Sequence, residues 1–346
     1  MREKVLCAMS GGVDSSVCAK LLTDAGYEVT GATMHLTEHG EGDASDAARV
    51  CSQLGIEHRL FDHSAEFSRE VIGRFIASYE RGETPNPCIE CNRYLKFGTL
   101  LKEAERLGCR YIATGHYALT EQDSGSGRFL LKKAAVPEKD QSYVLYRLTQ
   151  HQLAHALFPL GGLSKEEVRE LAEASGIVTA HKHDSQDICF VPDGDYAGFI
   201  RRSTGKDYPA GDFISPDGRV LGRHCGIINY TIGQRKGLGI SLGERAYVCG
   251  IDPAANTVTL GRNEELFTDR VRIRDINLIS APRLEEPLRA AVKIRYSHRE
   301  QPALVTQTDD DLIEIAFDQP QRAVTAGQSA VIYQGDTVIG GGRIFI

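Results

Sequence analysis

Lys4-Val5-Leu6-Cys7-Ala8-Met9-Ser10-Gly11-Gly12-Val13-Asp14-Ser15 is the stretch on which the fold turns. Lys4–Met9 is a short apolar run of buried-strand type, and it leads without a break into two glycines. From Ser15 to Ala25 the apolar residues Val17, Leu21, Leu22 and Ala25 recur at helical spacing, and Gly26 closes the segment. A strand that turns through Gly-Gly into a helix brings the first helical N–H groups to face one point. Glycine lets the backbone bend tightly and approach a ligand closely there, and the helix dipole favours an anion at that end. No Gly-Lys-Ser/Thr follows, so this is not a Walker loop. Gly-Gly after a strand is equally a plain turn; the full pattern Ser-Gly-Gly-x-Asp-Ser is far more specific.

Working outward, strand-like runs at Val29–Met34, Ile56–Phe61 and Arg110–Thr114 alternate with amphipathic segments at Asp43–Leu54, Ala65–Tyr79 and Asn92–Leu107. Alternation in units of this length predicts an α/β domain with a parallel sheet covered on both faces. Beyond about residue 200 the pattern changes. Turn signals such as Pro216-Asp217-Gly218 and Asp252-Pro253 separate short alternating runs at Ala246–Ile251, Thr257–Leu260, Ala290–Tyr296, Ala303–Thr308, Leu312–Phe317 and Ser329–Tyr333. These predict an antiparallel sheet or barrel. Boundaries are expected near Arg202 and Asp269, giving units 1–202, 203–269 and 270–346.

The 346 residues exceed one ordinary domain. No apolar run approaches the ~20 residues of a membrane span, and the N-terminus lacks a signal-peptide pattern, so a cytoplasmic protein without membrane association is expected. The net charge of −7 argues against nucleic-acid binding unless positive charge is local. It is local in two places: Arg219–Arg245 holds five Arg/Lys against Glu244, and Arg128–Arg147 holds five against Glu138 and Asp140. Nine cysteines in a chain of this length without a signal do not form a disulfide framework. Cys7, Cys18, Cys51 and Cys249 have apolar neighbours and are expected in the core, whereas Cys109 and Cys225 carry no signal.

Thr84-Pro85-Asn86-Pro87-Cys88-Ile89-Glu90-Cys91-Asn92 is a second dense motif. Two prolines stiffen it, and Asn92 is a candidate cap for the helix that follows. Cys88 and Cys91 are spaced to share a metal or to exchange as a dithiol. A structural zinc would want a second such pair, which the chain does not have. Cys189, in Asp184-Ser185-Gln186-Asp187-Ile188-Cys189-Phe190, reads equally as a core cysteine or as a reactive thiol. The polar run before it fits an accessible loop better, and a sulfur-carrying thiol must be reachable.

The loop at Ser10–Ser15 resembles that of the ATP pyrophosphatase superfamily. Together with Thr84–Cys91 and Asp184–Phe190, the chain resembles the tRNA-specific 2-thiouridylase family over essentially its whole length. The likeness continues through Ala113-Thr114-Gly115-His116-Tyr117, Lys139-Asp140-Gln141-Ser142-Tyr143, Thr231–Gly239 and Ala326–Val331. It implies a pyrophosphatase domain, a small central tRNA-binding domain and a C-terminal β-barrel. It also implies ATP with Mg2+, tRNA as partner, and a sulfur donor: a cysteine desulfurase, a relay protein or inorganic sulfide. ATP would adenylate O2 of the wobble uridine, and a persulfide on Cys189 would replace that oxygen, with Cys91 as its resolving partner. By the same resemblance, Ala8, Met9, Ser10, Gly11, Gly12, Val13, Asp14, Ser15, Met34 and Gly115 would bind ATP. Asn86, Pro87 and Cys88 would border the target base, and His116, Lys139, Asp140, Gln141, Arg295, Tyr296 and Gln328 would contact tRNA. Extruding an anticodon base into a pocket, with Arg and Lys on phosphates and Tyr or His for stacking, is the physics such a reaction needs.

The chain departs from the family pattern at Cys88, where many relatives carry Asp. Three candidate thiolates, Cys88, Cys91 and Cys189, would suit a 4Fe–4S cluster with one open iron holding a hydrosulfide. The segment from His35 to Asp43, with Glu38, His39 and Glu41, is shorter than in many relatives and has no metal-ligand spacing. Two rival classes remain at this stage: a pyrophosphatase-loop ligase or amidotransferase on a small molecule, and an iron–sulfur RNA-binding protein without turnover.

Overall fold

The computed structural model describes residues 2–37, 41–180, 182 and 188–346. Asp184–Asp187 of the Cys189 motif, and Glu38 and His39, lie outside the described residues. The first sheet contains β1 (Lys4–Ala8), β2 (Glu28–His35), β3 (Glu57–Asp62), β4 (Tyr111–Ala113) and the short β7 (Ala156–Leu157). Its order is β3-β2-β1-β4-β7, and every pairing is parallel. Helices Val13–Asp24 and Glu41–Leu54 follow β1 and β2. The chain moves to one side of β1 through β2 and β3, then to the other through β4. The loops leaving β1 and β4 therefore diverge around a crevice at the strand ends, the place where ligands bind in open α/β sheets.

A second, four-stranded sheet is ordered β10 (Tyr247–Asp252), β11 (Thr257–Gly261), β8 (Gly211–Ile214), β9 (Val220–His224). The third unit runs β12 (Phe267–Leu278), β15 (Leu312–Arg322), β14 (Gln301–Asp309), β13 (Leu288–Lys293), β16 (Ser329–Gln334), β17 (Thr337–Phe345). Pairing of β12 with β17 closes it into an antiparallel barrel. Its interior follows the period of two: Ala303 and Val305 face in from β14, and Ile313, Ile315 and Phe317 from β15, all buried. Burying each of the larger side chains contributes about 1.5–3 kcal/mol.

The sequence pattern does not show the hairpin β5 (Leu119–Gln122) and β6 (Phe129–Lys132), which leaves the first unit and pairs with β17 of the barrel. Leu131 is fully buried in one core with Tyr143, Tyr146, Tyr333 and Val338. The first unit and the barrel thus share side-chain packing. Cys249, expected in the core, is only half-buried. No helix among the described residues is long and apolar enough to cross a membrane.

The helix expected over Asn92–Leu107 begins earlier, at Pro87, and widens into a π-helical stretch over Cys91–Thr99 before continuing as Leu100–Arg106. Its cap is Asn86, whose side chain accepts from the Cys88 N–H at 3.1 Å, with Pro87 at the first helical position. The cap expected at Asn92 is not made. Asn92 is 2% exposed inside the helix and donates to the Val144 carbonyl at 3.1 Å.

Candidate active site

The Ser10–Ser15 loop leaves β1 with Gly11 in the left-handed region, at φ 68°. It is braced internally: the Ser10 N–H donates to Ser15 Oγ at 3.1 Å, and Ser15 Oγ donates to the Gly12 carbonyl at 3.0 Å. The first amides of the following helix have no intrahelical acceptor and form an anion site. Asp14 stands in the first turn, and its Oδ1 accepts from Lys165 Nζ at 2.7 Å and from the Tyr117 hydroxyl at 2.9 Å. Lys165 is buried and was not singled out by the sequence. The available signal was Ser164-Lys165-Glu166-Glu167, a capping box that starts helix Lys165–Ala174 at the sheet edge.

Gly115, after β4, closes the other side of the crevice. A Cβ there would lie 2.9 Å from the Asp14 carbonyl carbon and 3.0 Å from the Ser15 nitrogen. Only glycine fits so close to the loop backbone. Met34, at the end of β2, sits between two hydrophobic cores, and the Met9 N–H donates to the Ala32 carbonyl at 2.8 Å. The loop residues, Met34 and Gly115 thus come together on one edge of the sheet. A divalent ion fits this loop: Asp14 has a second carboxylate oxygen, and Mg2+ characteristically takes one or two carboxylates with phosphate oxygens.

Cys88 and Cys189 are exposed, and Cys91 is half-buried. Cys91 packs, with Ile188, against a core that contains Phe190, whose ring meets Phe67, Phe75 and Phe199 at 5.2–5.7 Å between centroids. Burial pushes the Cys91 thiol up to about 12; Lys96 opposes that rise, while the fields of Cys189 and Cys88 add to it. Burial likewise raises the Cys88 and Cys189 thiols, again against Lys96. Lys96 thus opposes the rise at all three thiols, and Cys88 adds to it at both Cys91 and Cys189. Lys96 escaped the sequence reading because the expected helix began only at Asn92, whereas the helix starts at Pro87 and carries both Cys91 and Lys96 on its π-helical stretch. In the wider π-helix, i and i+5 are neighbours. Among the described residues, however, no three His, Cys, Asp or Glu are placed to hold a metal. The trio is close but not arranged as cluster ligands.

The residues expected at tRNA divide into two groups. Tyr296 is 43% exposed and lies 5.9 Å from the Tyr143 ring. Lys139 is half-exposed on the same segment as Gln141. Asp140, Gln141, Arg295, Gln328 and His116 are more deeply engaged, with the partners that follow. Asp140 accepts from the amides of Ala134 and Ser142 at 3.1 Å, and Gln141 Oε1 accepts from the Tyr117 N–H at 3.0 Å. Arg295 donates to Thr325 Oγ1 at 2.6 Å and to the Ala323 carbonyl, and Gln328 donates to the Thr84 carbonyl at 2.8 Å. His116 is 8% exposed, bonded to Thr114 Oγ1 at 2.7 Å, with Phe97 and Phe158 about its ring. Burial, helped by Lys96, holds it neutral, so the expected surface contact is here an internal ring beside the cysteines. Lys293, not anticipated, lies over the rings of Tyr143 and Tyr296 at 5.7 and 5.4 Å, and burial lowers its pKa.

Three family models match the chain in order. They are described as the tRNA methyl transferase HUP domain over residues 3–193, the tRNA methyl transferase PRC-barrel domain over 197–262 and the aminomethyltransferase β-barrel domain over 268–344. A protein of Clostridioides difficile named tRNA-specific 2-thiouridylase MnmA is 47% identical, covering 99% of this chain and 98% of its own length. One of Caldanaerobacter subterraneus, named tRNA-specific 2-thiouridylase MnmA 2, is 48% identical with the same coverage. Of solved structures, NMN synthetase from Francisella tularensis matches 59% of this chain and 78% of its own, at 20% identity and a TM-score of 0.36, too low to bear on function.

Proposed function

The chain belongs to the tRNA-specific 2-thiouridylase family, and from that premise we propose that it uses ATP to replace O2 of the wobble uridine of tRNA with sulfur carried on cysteine. The observation that carries this reading is the meeting of two sites. Gly115 rests on the Asp14 backbone, and its neighbour His116 lies within the field of Lys96, which also reaches Cys88, Cys91 and Cys189. The Gly115-His116 segment thus links the phosphate loop to the surroundings of Lys96, which supports a reading in which both serve one reaction. The methyl-transfer wording of the family descriptions has no counterpart among these groups.

In the proposed course, uridine O2 attacks the α-phosphorus of ATP and pyrophosphate leaves. The loop amides hold the phosphates, and Lys165 and Asp14 organise the charge. Magnesium, when bound, would sit with Asp14 and neutralise the leaving pyrophosphate. The terminal sulfur of a Cys189 persulfide then attacks C2, and AMP departs with the former O2. The Cys91 thiolate attacks Cys189 Sγ, forming the Cys91–Cys189 disulfide and leaving sulfur on C2. A dithiol reductant restores both thiols, and a persulfide on a cysteine desulfurase or relay protein transfers its outer sulfur to Cys189; inorganic sulfide serves instead by attacking Cys189 Sγ of the Cys91–Cys189 disulfide, which forms the Cys189 persulfide and releases the Cys91 thiol. Because burial holds Cys91 protonated in the free protein, its thiolate must form late, beside Lys96.

The exposed Cys88 beside the other two thiols favours a second reading, a 4Fe–4S cluster on Cys88, Cys91 and Cys189. Among the described residues the three thiols are not placed to hold a metal. The test is anaerobic reconstitution with tRNA, ATP and sulfide, with and without iron, reading 2-thiouridine and protein-bound iron. The persulfide reading expects iron-independent product once Cys189 is persulfidated; strict iron dependence would replace it with the cluster. Cys189→Ser should abolish product while tRNA still binds, and a fully active variant would overturn the cysteine assignment.

A further inference from the structure

The loop that starts the cysteine helix is held by the barrel at Thr84, while Glu83 before it is also held by its own unit through the Ser78 carbonyl at 2.9 Å and Arg81 at 2.8 Å. The Thr84 N–H donates to the Ala326 carbonyl at 2.9 Å, and Gln328 Nε2 donates to the Thr84 carbonyl at 2.8 Å. Ala326 and Gln328 belong to the turn between β15 and β16, so both backbone polar groups of Thr84 are tied to that turn. Arg343 on β17 pairs with Glu83 at the preceding position. Gly327 lies against the loop between them. A Cβ there would stand 2.8 Å from Glu83 Cβ and 3.0 Å from the Thr84 nitrogen, and the residue has φ +88°. The turn is itself anchored in the barrel, with the Ile344 N–H donating to the Gln328 carbonyl at 2.8 Å and the Gly327 N–H to the Ile344 carbonyl at 3.0 Å.

A second tie crosses the same seam. Arg147 is 5% exposed, reaches both carboxylate oxygens of Asp275 on β12 at 3.0 Å, and has Glu90 at 3.7 Å. Glu90 stands between Cys88 and Cys91. Behind the loop lies a cavity of about 330 Å3 that includes Asn86, Pro87, Glu90, Arg147 and Gly327 in its wall. The loop therefore spans open space and takes its position from its contacts at either end.

We propose that the Ala326–Gln328 turn is a positioning element, by which the barrel sets Cys88 and Cys91 relative to the bound nucleotide. Gln328 then acts on the Thr84 carbonyl rather than on tRNA. This rests on the thiolation reading above and adds a second duty to the barrel: it places the reacting thiols as well as offering an RNA surface. Loss of the tie lets the loop move into the cavity, and displacement of a reacting group by about 1 Å can cost about 10²-fold in rate.

The experiment compares Gln328→Met, which keeps length and loses the donor, with Gly327→Ala, which adds a methyl group against the loop. Single-turnover thiolation, tRNA and ATP dissociation constants, and the alkylation rate of Cys88 are measured on the full chain, with melting curves as the control for folding. The positioning role predicts that both variants lose about tenfold or more in rate at unchanged tRNA and ATP affinity, with altered Cys88 alkylation. Weaker tRNA binding in Gln328→Met, with Gly327→Ala fully active, would make Gln328 an RNA contact and overturn the proposal, as would wild-type rates in both. If Gly327→Ala does not fold, Arg343→Met, which removes the barrel's partner of Glu83 and leaves its pairing with Arg81, takes its place with the same expectation. If the wild-type protein makes no 2-thiouridine, the thiolation reading fails on its own, and Cys88 alkylation still decides whether the turn holds the loop.

Discussion

Lys165→Met isolates the charge inside the phosphate loop. Methionine nearly matches the lysine stem, so the slot stays filled, and what is lost is the cation 2.7 Å from Asp14 Oδ1. Removing one partner of a buried ion pair costs about 3–5 kcal/mol. Here the lysine side chain is 4% exposed but that of Asp14 is 31% exposed, so water takes up part of the loss, and Tyr117 still donates to the same oxygen. A destabilisation of about 2 kcal/mol follows, or roughly 4–8 °C in melting temperature for a domain of this size. Asp14→Asn in the same background should recover part of it, because no uncompensated carboxylate remains. Nucleotide binding gives a second readout. A charge-assisted hydrogen bond is worth about 1.5–3 kcal/mol, so ATP binding should weaken by roughly 10- to 150-fold if the ammonium turns to the phosphates. Calorimetric titration with ATP and Mg2+ reads this directly. A variant that melts and binds ATP like the parent would refute the assignment of Lys165 to the phosphate site.

Gly115→Ala should displace the loop without changing any charge: three contacts at 2.9–3.1 Å with Asp14 and Ser15 must open, at a cost of about 1–3 kcal/mol. ATP affinity should fall with the melting temperature, and unchanged ATP binding would show that the close approach is unnecessary. Iodoacetamide labelling of the free protein at about pH 8 should modify Cys88 and Cys189 before Cys91, and Cys91 labelling should then climb about tenfold per pH unit toward its pKa. That pKa lies at about 12 because of burial, so the thiolate fraction grows as pH rises. Lys96→Met should slow Cys91 further, and equal rates for Cys91 and Cys189 at that pH would count against the buried assignment.

The loop and the first strands were legible because each carries a local signal: an apolar run, two glycines, a helical period. Several barrel strands showed their alternation, as at Ala303–Thr308 and Leu312–Phe317. What stayed hidden had non-local causes. Leu119–Lys132 alternates weakly; its two strands pair with each other, and β6 joins β17, some 200 residues on, a contact that no local pattern announces. Lys165 looks like any solvated helix start until the β1 loop is placed beside it. Lys96 was not linked to Cys91 because the expected helix began only at Asn92, whereas the helix starts at Pro87 and carries both residues on its π-helical stretch. Asn92 looked like a cap because it precedes the amphipathic run, but Asn86-Pro87 is the stronger start signal. His116, Asp140 and Arg295 are polar residues whose partners are internal, which sequence alone cannot distinguish from an RNA-facing role.

These internal partners also join the two halves of the reaction. Tyr117 donates its hydroxyl to Asp14 in the phosphate loop, while its backbone N–H is held by Gln141 Oε1 and its carbonyl accepts from the Gln141 N–H at 2.9 Å. Gln141 in turn leads into the helix Ser142–Leu145, whose Tyr143 ring lies 5.9 Å from that of the exposed Tyr296. Tyr143 and Tyr146, on the helix that follows Gln141, bond Ser329 of the barrel at 2.8 and 3.0 Å. Ser329 follows Gln328, which donates to the Thr84 carbonyl in the loop before the cysteines. The phosphate loop and the cysteine loop are thus both tied to the start of β16, so a displacement of that strand reaches both together.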